Sequence, residues 1–477
     1  MGFVIPEFGP AMAEIILATG ICVVLLADLF ISDKYRGVTL LLALATLVLT
    51  GIAVSAGAEG TILTFSGSYI ADPLARVLKL FTLLMVAVVF VYSHSYLRDR
   101  GLLKGEYYLL GLFATLGMFV MISAHSFITM YLGLELMSLA LYAMVAFDRD
   151  SPVAAEAAMK YFVLGAIASG IALYGMSLIY GITGSLQLNE IAADPLGPDA
   201  TSPIVMLGTA FVLIGVAFKF GAVPFHNWVP DVYQGAATST TLFIGTAPKL
   251  AAFAMMFRML ETGLGAEDFA WEPMLAVLAV LSLVIGNVVA IAQTNIKRML
   301  AYSTIAHVGF ILLGFSTGTA VGYQAALFYT IVYTIMAAGA FGIVILMSQR
   351  GFEAEELSDL KGLNQRSPWF AGMMLLLMVS MIGIPPFVGF FAKLNILAAL
   401  VNHNETLLAV IAVLFSVIGA FYYLRVIRLM YFDDAEDNSP LQAGFDVQLL
   451  VSANGLAMLL LGLFANPLLA ICAAAIG

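Results

Sequence analysis

FKFGAVPFHNWVPD, residues 218–231, is the stretch that decides the fold. It opens with Lys219 inside an apolar run. Gly221 and Pro224 then break the helix, because proline has no N–H to donate and its ring clashes with the carbonyl four residues back, here Phe220. A polar cluster follows in His226, Asn227, Trp228 and Asp231. A lysine in the middle of an apolar helix, with a break directly after it, is costly to place in hydrocarbon and marks a functional site by default.

Outward from that stretch the composition is uniform. Of 477 residues, 62% are hydrophobic and 10% charged, and the mean hydropathy is +1.01. A soluble domain carries about 25% charged residues. The chain therefore reads as a single membrane domain over 1–477, all-α and polytopic, since lipid leaves the unpaired backbone groups of an open sheet unsatisfied. The net charge of −10 is spread over loops and forms no basic patch, so the expected surroundings are a lipid bilayer and not nucleic acid. Cys22 and Cys472 are isolated, with no C-x-x-C pair. No metal or iron–sulfur ligand set follows from them, and no glycine fingerprint for a nucleotide stands in a strand–helix context. The opening MGFVIPEFGPAMAEIIL carries Glu7 and Glu14 and no early cation. That is the wrong charge for a signal peptide, so the first apolar run is expected to be a retained span.

About fourteen apolar runs reach the ~20 residues a helix needs to cross the hydrocarbon core. Three helices are expected in 1–100, a five-helix block in 105–262, a second in 270–432 and a last helix in 445–477. Loops after odd-numbered spans hold Lys34, Arg36, Arg98, Arg100, Lys104, Arg149, Lys297, Arg298, Arg350, Lys361, Arg366, Arg425 and Arg428. The opposite loops hold Glu59, Asp72, Glu190, Asp194, Asp199, Glu261, Glu267, Asp268 and Glu272. The positive-inside rule then places the basic loops in the cytoplasm and both termini outside, against which Arg76, Lys79 and Arg258 count slightly.

An internal echo joins the two blocks. GAVPF at 221–225 matches GIPPF at 383–387, and five spans between them make the copies run in opposite directions. Inverted repeats with interrupted helices near the midplane build many transporters. Gly383, Pro385 and Pro386 repeat the break, freeing the carbonyls of Met381 and Ile382. Freed carbonyls persist at membrane depth only where protein or water satisfies them, so wet cavities are expected beside Lys219 and Lys393.

Four ionisable residues fall near span centres: Glu135 in YLGLELMSLALY, Lys219, Lys249 in TAPKLA and Lys393 in FFAKLNIL. Each costs about 2.5–3.5 kcal/mol on insertion scales. Snorkelling to the interface is a poor account of Lys219 and Lys249, which have long apolar flanks, and a better one for Lys393. A helix-pinning clamp is the plain account of Glu135. Together they suit proton transfer: burial disfavours a charged ammonium, and a nearby carboxylate restores it. His307, mid-span, and Lys160, near the start of the sixth span, are secondary candidates. Tyr302, Ser303, Thr304, Thr330, Tyr333 and Thr334 offer hydroxyls for a water chain, although such groups more often bond their own helix. The loop EAEELSDLKGLNQR, 353–366, reads as an amphipathic connector, with a plain solvated loop as the simpler account.

The runs FKFGAVPFHNWVPDVYQGA, TAPKLA, IKRMLAYSTIAHVGF and GIPPFVGFFAKL resemble the antiporter-like membrane subunits of proton-pumping NADH:quinone oxidoreductase (respiratory complex I), a group that extends to multi-subunit cation/proton antiporters. PDVYQGA, and Lys393 where the M type has a glutamate, are similar to the N type. The resemblance implies fourteen helices with two inverted five-helix repeats, helices 4–8 and 9–13, with helices 7 and 12 broken. It implies proton transfer through Glu135, Lys219, Lys249 and Lys393, with His307 and Lys160 less secure. It places NADH, FMN, iron–sulfur clusters and quinone on partner subunits, among neighbouring antiporter-like chains, in a bacterial inner membrane. An antiporter subunit without redox chemistry is the alternative, and a scaffold whose buried charges only pin helices is a third reading.

Overall fold

The computed structural model describes residues 6–57, 59–193, 203–265, 271–348, 351–435, 441 and 444–477. Asp194, Asp199, Glu267, Asp268 and Arg350, cited above for orientation, lie outside the described residues. Thirteen helices among the described residues are long and apolar enough to cross a bilayer. Two helices of 15 residues each, Pro368–Ile382 and Val388–Asn402, together add the twelfth crossing. That makes fourteen, as expected.

In chain order the first six spans are Met12–Asp28, Arg36–Ala56, Pro73–Asp99, Gly105–Ile122, Phe127–Val145 and Pro152–Thr183. The seventh is Pro203–Phe220, followed past its break by the short helix Trp228–Gly235. The eighth is Thr238–Gly263. Glu272–Ile291, Ile296–Phe315 and Ala320–Met347 are the ninth to eleventh, Thr406–Phe432 the thirteenth and Phe445–Leu463 with Ala465–Ile476 the fourteenth. An even number of crossings returns the chain to the face it began on. That face is the terminal face below, and the opposite one is the basic face.

Helix starts carry residues that satisfy their first N–H groups. Asp72 accepts from the Ala75 amide at 2.8 Å, Ser126 from Thr129 at 3.2 Å and Asn295 from Arg298 at 3.0 Å. Proline occupies the first turn of the third, sixth and twelfth spans, where its missing N–H would go unused. The core lies along the eighth, tenth and eleventh spans, which are buried almost throughout, while the first and thirteenth face outward. Among the described residues the sheet content is one short antiparallel hairpin, Ile62–Thr64 with Tyr69–Ala71, between the second and third spans.

Two close helix contacts match. A Cβ on Gly117 would meet Met137 N at 2.4 Å and Gly133 O at 2.9 Å, and one on Gly286 would meet Ala306 N at 2.6 Å and Tyr302 O at 2.9 Å. The fourth and fifth spans thus pack in the same register as the ninth and tenth. Carrying that register along the helices sets Ser138 in the place of His307 and Glu135 in the place of Thr304.

The structure extends one expectation and decides between the two accounts of another. Breaks are not confined to the seventh and twelfth spans. The eighth is interrupted at Thr246 (φ −119, ψ −95), because Pro248 cannot donate to Ile244. The fourteenth breaks at Phe464, where Pro467 does the same to Leu463. The loop at 353–366 is not a plain solvated segment. Ala354, Leu357 and Leu360 are buried, and Glu353 pairs with Arg100 and accepts from Tyr96 Oη at 2.9 Å and Thr238 Oγ1 at 2.5 Å. Glu355 pairs with buried Lys297 at 2.5 Å. Its acidic residues find cations and hydroxyls at the ends of other spans.

Candidate functional site

The proline breaks free carbonyls, and lysines take them. Pro224 leaves Phe220 O without its helical donor, and Lys249 Nζ donates to it at 2.9 Å from the eighth span. Pro385 and Pro386 leave Met381 O and Ile382 O in the same state, and Lys393 Nζ donates to both, at 3.0 and 2.8 Å. Lys393 also donates to Ser416 Oγ on the thirteenth span at 2.8 Å and lies 5.3 Å from the Phe310 ring centroid. An ammonium has three donors and no acceptor, so carbonyl and hydroxyl oxygens are the partners it needs away from water.

Lys219 lies on the other side of the first break. Its Nζ donates to Ser138 Oγ on the fifth span at 2.5 Å. Ser138 was not singled out from the sequence. The available signal was its place three residues after Glu135, on the same helical face. Glu135 is partly exposed and accepts from Ser169 Oγ of the sixth span. Among the described residues no carboxylate lies within 4.0 Å of the Lys219, Lys249 or Lys393 ammonium. Lys219 and Lys249 are buried, and Lys393 is partly so.

The residues after the break lock the geometry. Trp228 is buried. Its Nε1 donates to Phe218 O at 3.0 Å, its ring stacks on Tyr161 at 4.5 Å, and the Lys249 ammonium lies 5.7 Å from its centroid. Asp231 ties the two blocks together at the basic face. It accepts from Lys160 of the sixth span at 2.8 Å and from Arg298 of the tenth at 2.7 Å. Lys160 itself is exposed and also pairs with Glu156 at 2.8 Å, so it stands apart from the buried lysines.

His307 is buried between hydroxyls. Its Nδ1 and Tyr329 Oη are 2.7 Å apart, and its Nε2 and Tyr423 Oη 3.1 Å. Tyr423 Oη is 2.5 Å from Ser303 Oγ, and Tyr333 Oη donates to Thr304 at 2.7 Å. Thr330 and Thr334 instead bond their own helix. A small cavity lined by His307, Lys393, Asn287 and Ser416 lies between the tenth and twelfth spans. Beside Lys219 the partner is the Ser138 hydroxyl.

The family model described as "NADH:quinone oxidoreductase/Mrp antiporter, TM" matches residues 124–419. NADH-quinone oxidoreductase subunit N of Thioalkalivibrio sulfidiphilus is 56% identical over 100% of both chains. Its counterpart in Alkalilimnicola ehrlichii is 57% identical over 100% of this chain and 98% of the relative. A chain of respiratory complex I from Thermus thermophilus superposes with a TM-score of 0.83 at 32% identity, covering 97% of this chain and 100% of that one. A chain of the Mrp complex from a Dietzia species shares the fold, with a TM-score of 0.80 at 22% identity over 98% of this chain and 96% of that one. With the family model matched over 124–419 and relatives more than half identical over nearly their whole length, the chain belongs to the NADH:quinone oxidoreductase/Mrp antiporter family of membrane subunits, in its NADH-quinone oxidoreductase subunit N branch.

Proposed function

We propose that this chain moves protons across a bacterial inner membrane as a subunit of NADH:quinone oxidoreductase, with Glu135, Lys219, Lys249 and Lys393 as the transfer groups. The observation that carries the reading is the set of three lysine ammonium groups held by carbonyls and hydroxyls alone. A cation in a low-dielectric interior without a counter-charge is poised to shed its proton, and structural ion pairs are not built that way. Titratable groups under such strain mark functional sites. His307, in its ring of tyrosine hydroxyls, continues the line toward Lys393. Glu135 acts on Lys219 through the turn that carries Ser138.

Redox chemistry, with NADH, FMN, iron–sulfur clusters and quinone, belongs to partner subunits in this reading, and the chain works as part of a translocase. The basic face lies in the cytoplasm and both termini outside, by the positive-inside rule. The test is the assembled complex carrying Lys249→Met or Lys219→Ala in closed vesicles. Proton accumulation per NADH oxidised should fall while the complex remains assembled. Accumulation equal to that of the unsubstituted complex would sink the proposal.

A further inference from the structure

A second group of buried charges lies at the terminal face, away from the proline breaks. Lys79, in the second turn of the third span, is 4% exposed, and Glu14, in the first turn of the first, is 8% exposed. They pair at 2.5 Å. Tyr69, on the hairpin, donates to Glu14 Oε2 at 2.9 Å and accepts from Lys79 at 3.0 Å. Nearby, Asp72 pairs with Arg258 at 2.7 Å. Arg258 is buried and sits in the π-helical turn Phe257–Gly263 of the span that carries Lys249, roughly two to three turns further along. π-turns inside α-helices frequently mark functional positions.

Two further observations distinguish this group from a structural clamp. His125, in the loop between the fourth and fifth spans, is 4% exposed, and neither of its ring nitrogens has a protein partner. A buried imidazole left unbonded is unfavourable, so the arrangement calls for water. Asp72, whose charge acts on His125, lines with Glu7, Arg76 and Lys79 a cavity of about 350 Å³, which has room for several waters. Burial and the Arg258 guanidinium hold the His125 imidazole below its ordinary value, against the pull of Asp72. Burial opposes the charge on Asp72, but Arg258 keeps its carboxyl below the usual carboxylate range.

We propose that His125, flanked by Asp72–Arg258 and by Lys79–Glu14–Tyr69, is the group from which protons leave this chain, past Asp72, into the cavity of the terminal face. The inference rests on the proton-transfer reading above. An arriving proton adds to a free ring nitrogen of neutral His125. The fixed positive charge of Arg258 disfavours the imidazolium, and the proton passes to cavity water, regenerating the neutral ring. Lys79, held by Glu14 and Tyr69, forms part of the cavity wall. Nothing is consumed or left behind in the cycle.

The test uses the complete complex in oriented vesicles, with Lys249→Met as the reference. His125→Gln should lower proton release per NADH oxidised. In the unsubstituted complex, release should weaken as the terminal-face solution is acidified through the imidazole range, and His125→Gln should remove that dependence, which a purely structural role would leave in place. Asp72→Asn keeps the helix cap and removes the negative charge that acts on His125 among the described residues, so it should move the dependence to lower pH. It decides the matter if His125→Gln fails to assemble. Normal release from His125→Gln while Lys249→Met fails overturns the exit site and leaves the transfer reading standing. An unmoved pH dependence in Asp72→Asn also overturns it. Normal release from both His125→Gln and Lys249→Met removes the transfer reading and the exit site with it.

Discussion

The breaks in the seventh and twelfth spans solve one problem in two ways. In both, the carbonyl just before the glycine, Phe220 O or Ile382 O, receives an ammonium at 2.9 or 2.8 Å. In the first block the cation comes from the next span, as Lys249. In the second it comes from beyond the break in the same helix, as Lys393. Lys219, two residues before Gly221, corresponds to Met381, two residues before Gly383. The extra lysine of the first block therefore has no twin in the second. Where the first block has Ser138 as that lysine's partner, the matching register of the second holds His307. The repeat keeps a freed carbonyl next to a cation and lets the cation's origin drift. That is the outcome expected if the backbone oxygen, fixed by proline, is the invariant and any long side chain able to reach it will serve.

The largest effect should come from removing the cations. Lys249→Met and Lys393→Met are each expected to slow proton transfer by about 10² or more, the usual scale for losing a positioned proton donor. If the two sites are equivalent, the losses in vesicle pumping assays should match. A normal rate in one alone would show that only one block transfers protons.

The glycines come next. Gly221 and Gly383 have φ of +79 and +88, where an L side chain costs roughly 1–2 kcal/mol. The neighbours differ: a Cβ would press on Val229 at 2.5 Å in the first case and on Lys393 at 2.8 Å in the second. Gly383→Ala should cut pumping in assembled complex, whereas Gly221→Ala should chiefly lower the thermal stability of the subunit. Equal behaviour in both assays would blur the contrast.

Ser138→Ala removes a hydrogen bond to a charged group, worth about 1.5–3 kcal/mol. It should slow transfer less than Lys249→Met does, measured as initial proton uptake. His307→Gln should act similarly if the shared register carries a shared role. The smallest effect is expected at the clasp between the blocks. Asp231→Asn loses pairs with Lys160 and Arg298 at a partly exposed position, worth about 0–1 kcal/mol each. It should lower thermal stability slightly, and less so at high salt, with pumping near normal.

Much of the site was legible in advance because its signals are local. Lys219, Lys249 and Lys393 are conspicuous against apolar flanks, and Pro224, Pro385 and Pro386 announce their breaks. Pro248 and Pro467 carry the same signal for the breaks at Thr246 and Phe464, without the repeated glycine–proline motif that makes the other two conspicuous. Ser138 is inconspicuous because a serine in a membrane helix usually bonds its own backbone, as it also does here to Leu134 O. Lys79 and Arg258 looked like stray charges near span ends. Their partners Glu14 and Asp72 are far away in sequence, and only packing brings them within reach. The loop at 353–366 is amphipathic in sequence, but only packing shows that Arg100 and Lys297 stand opposite Glu353 and Glu355.

The sequence by itself determined the number of crossings, their alternating direction, the places where helices must break and the cost of the buried charges. Those follow from hydropathy over one helix length and from the missing N–H of proline, both properties of a short window of chain. The tertiary structure alone decided which lysine meets which carbonyl, that a serine answers Lys219, and that Asp72 and Lys79 line one cavity. A side chain reaches only a few ångströms from its helix. Whether two such groups meet depends on the packing register of spans dozens or hundreds of residues apart, which close contacts such as Gly117 on Met137 and Gly286 on Ala306 set.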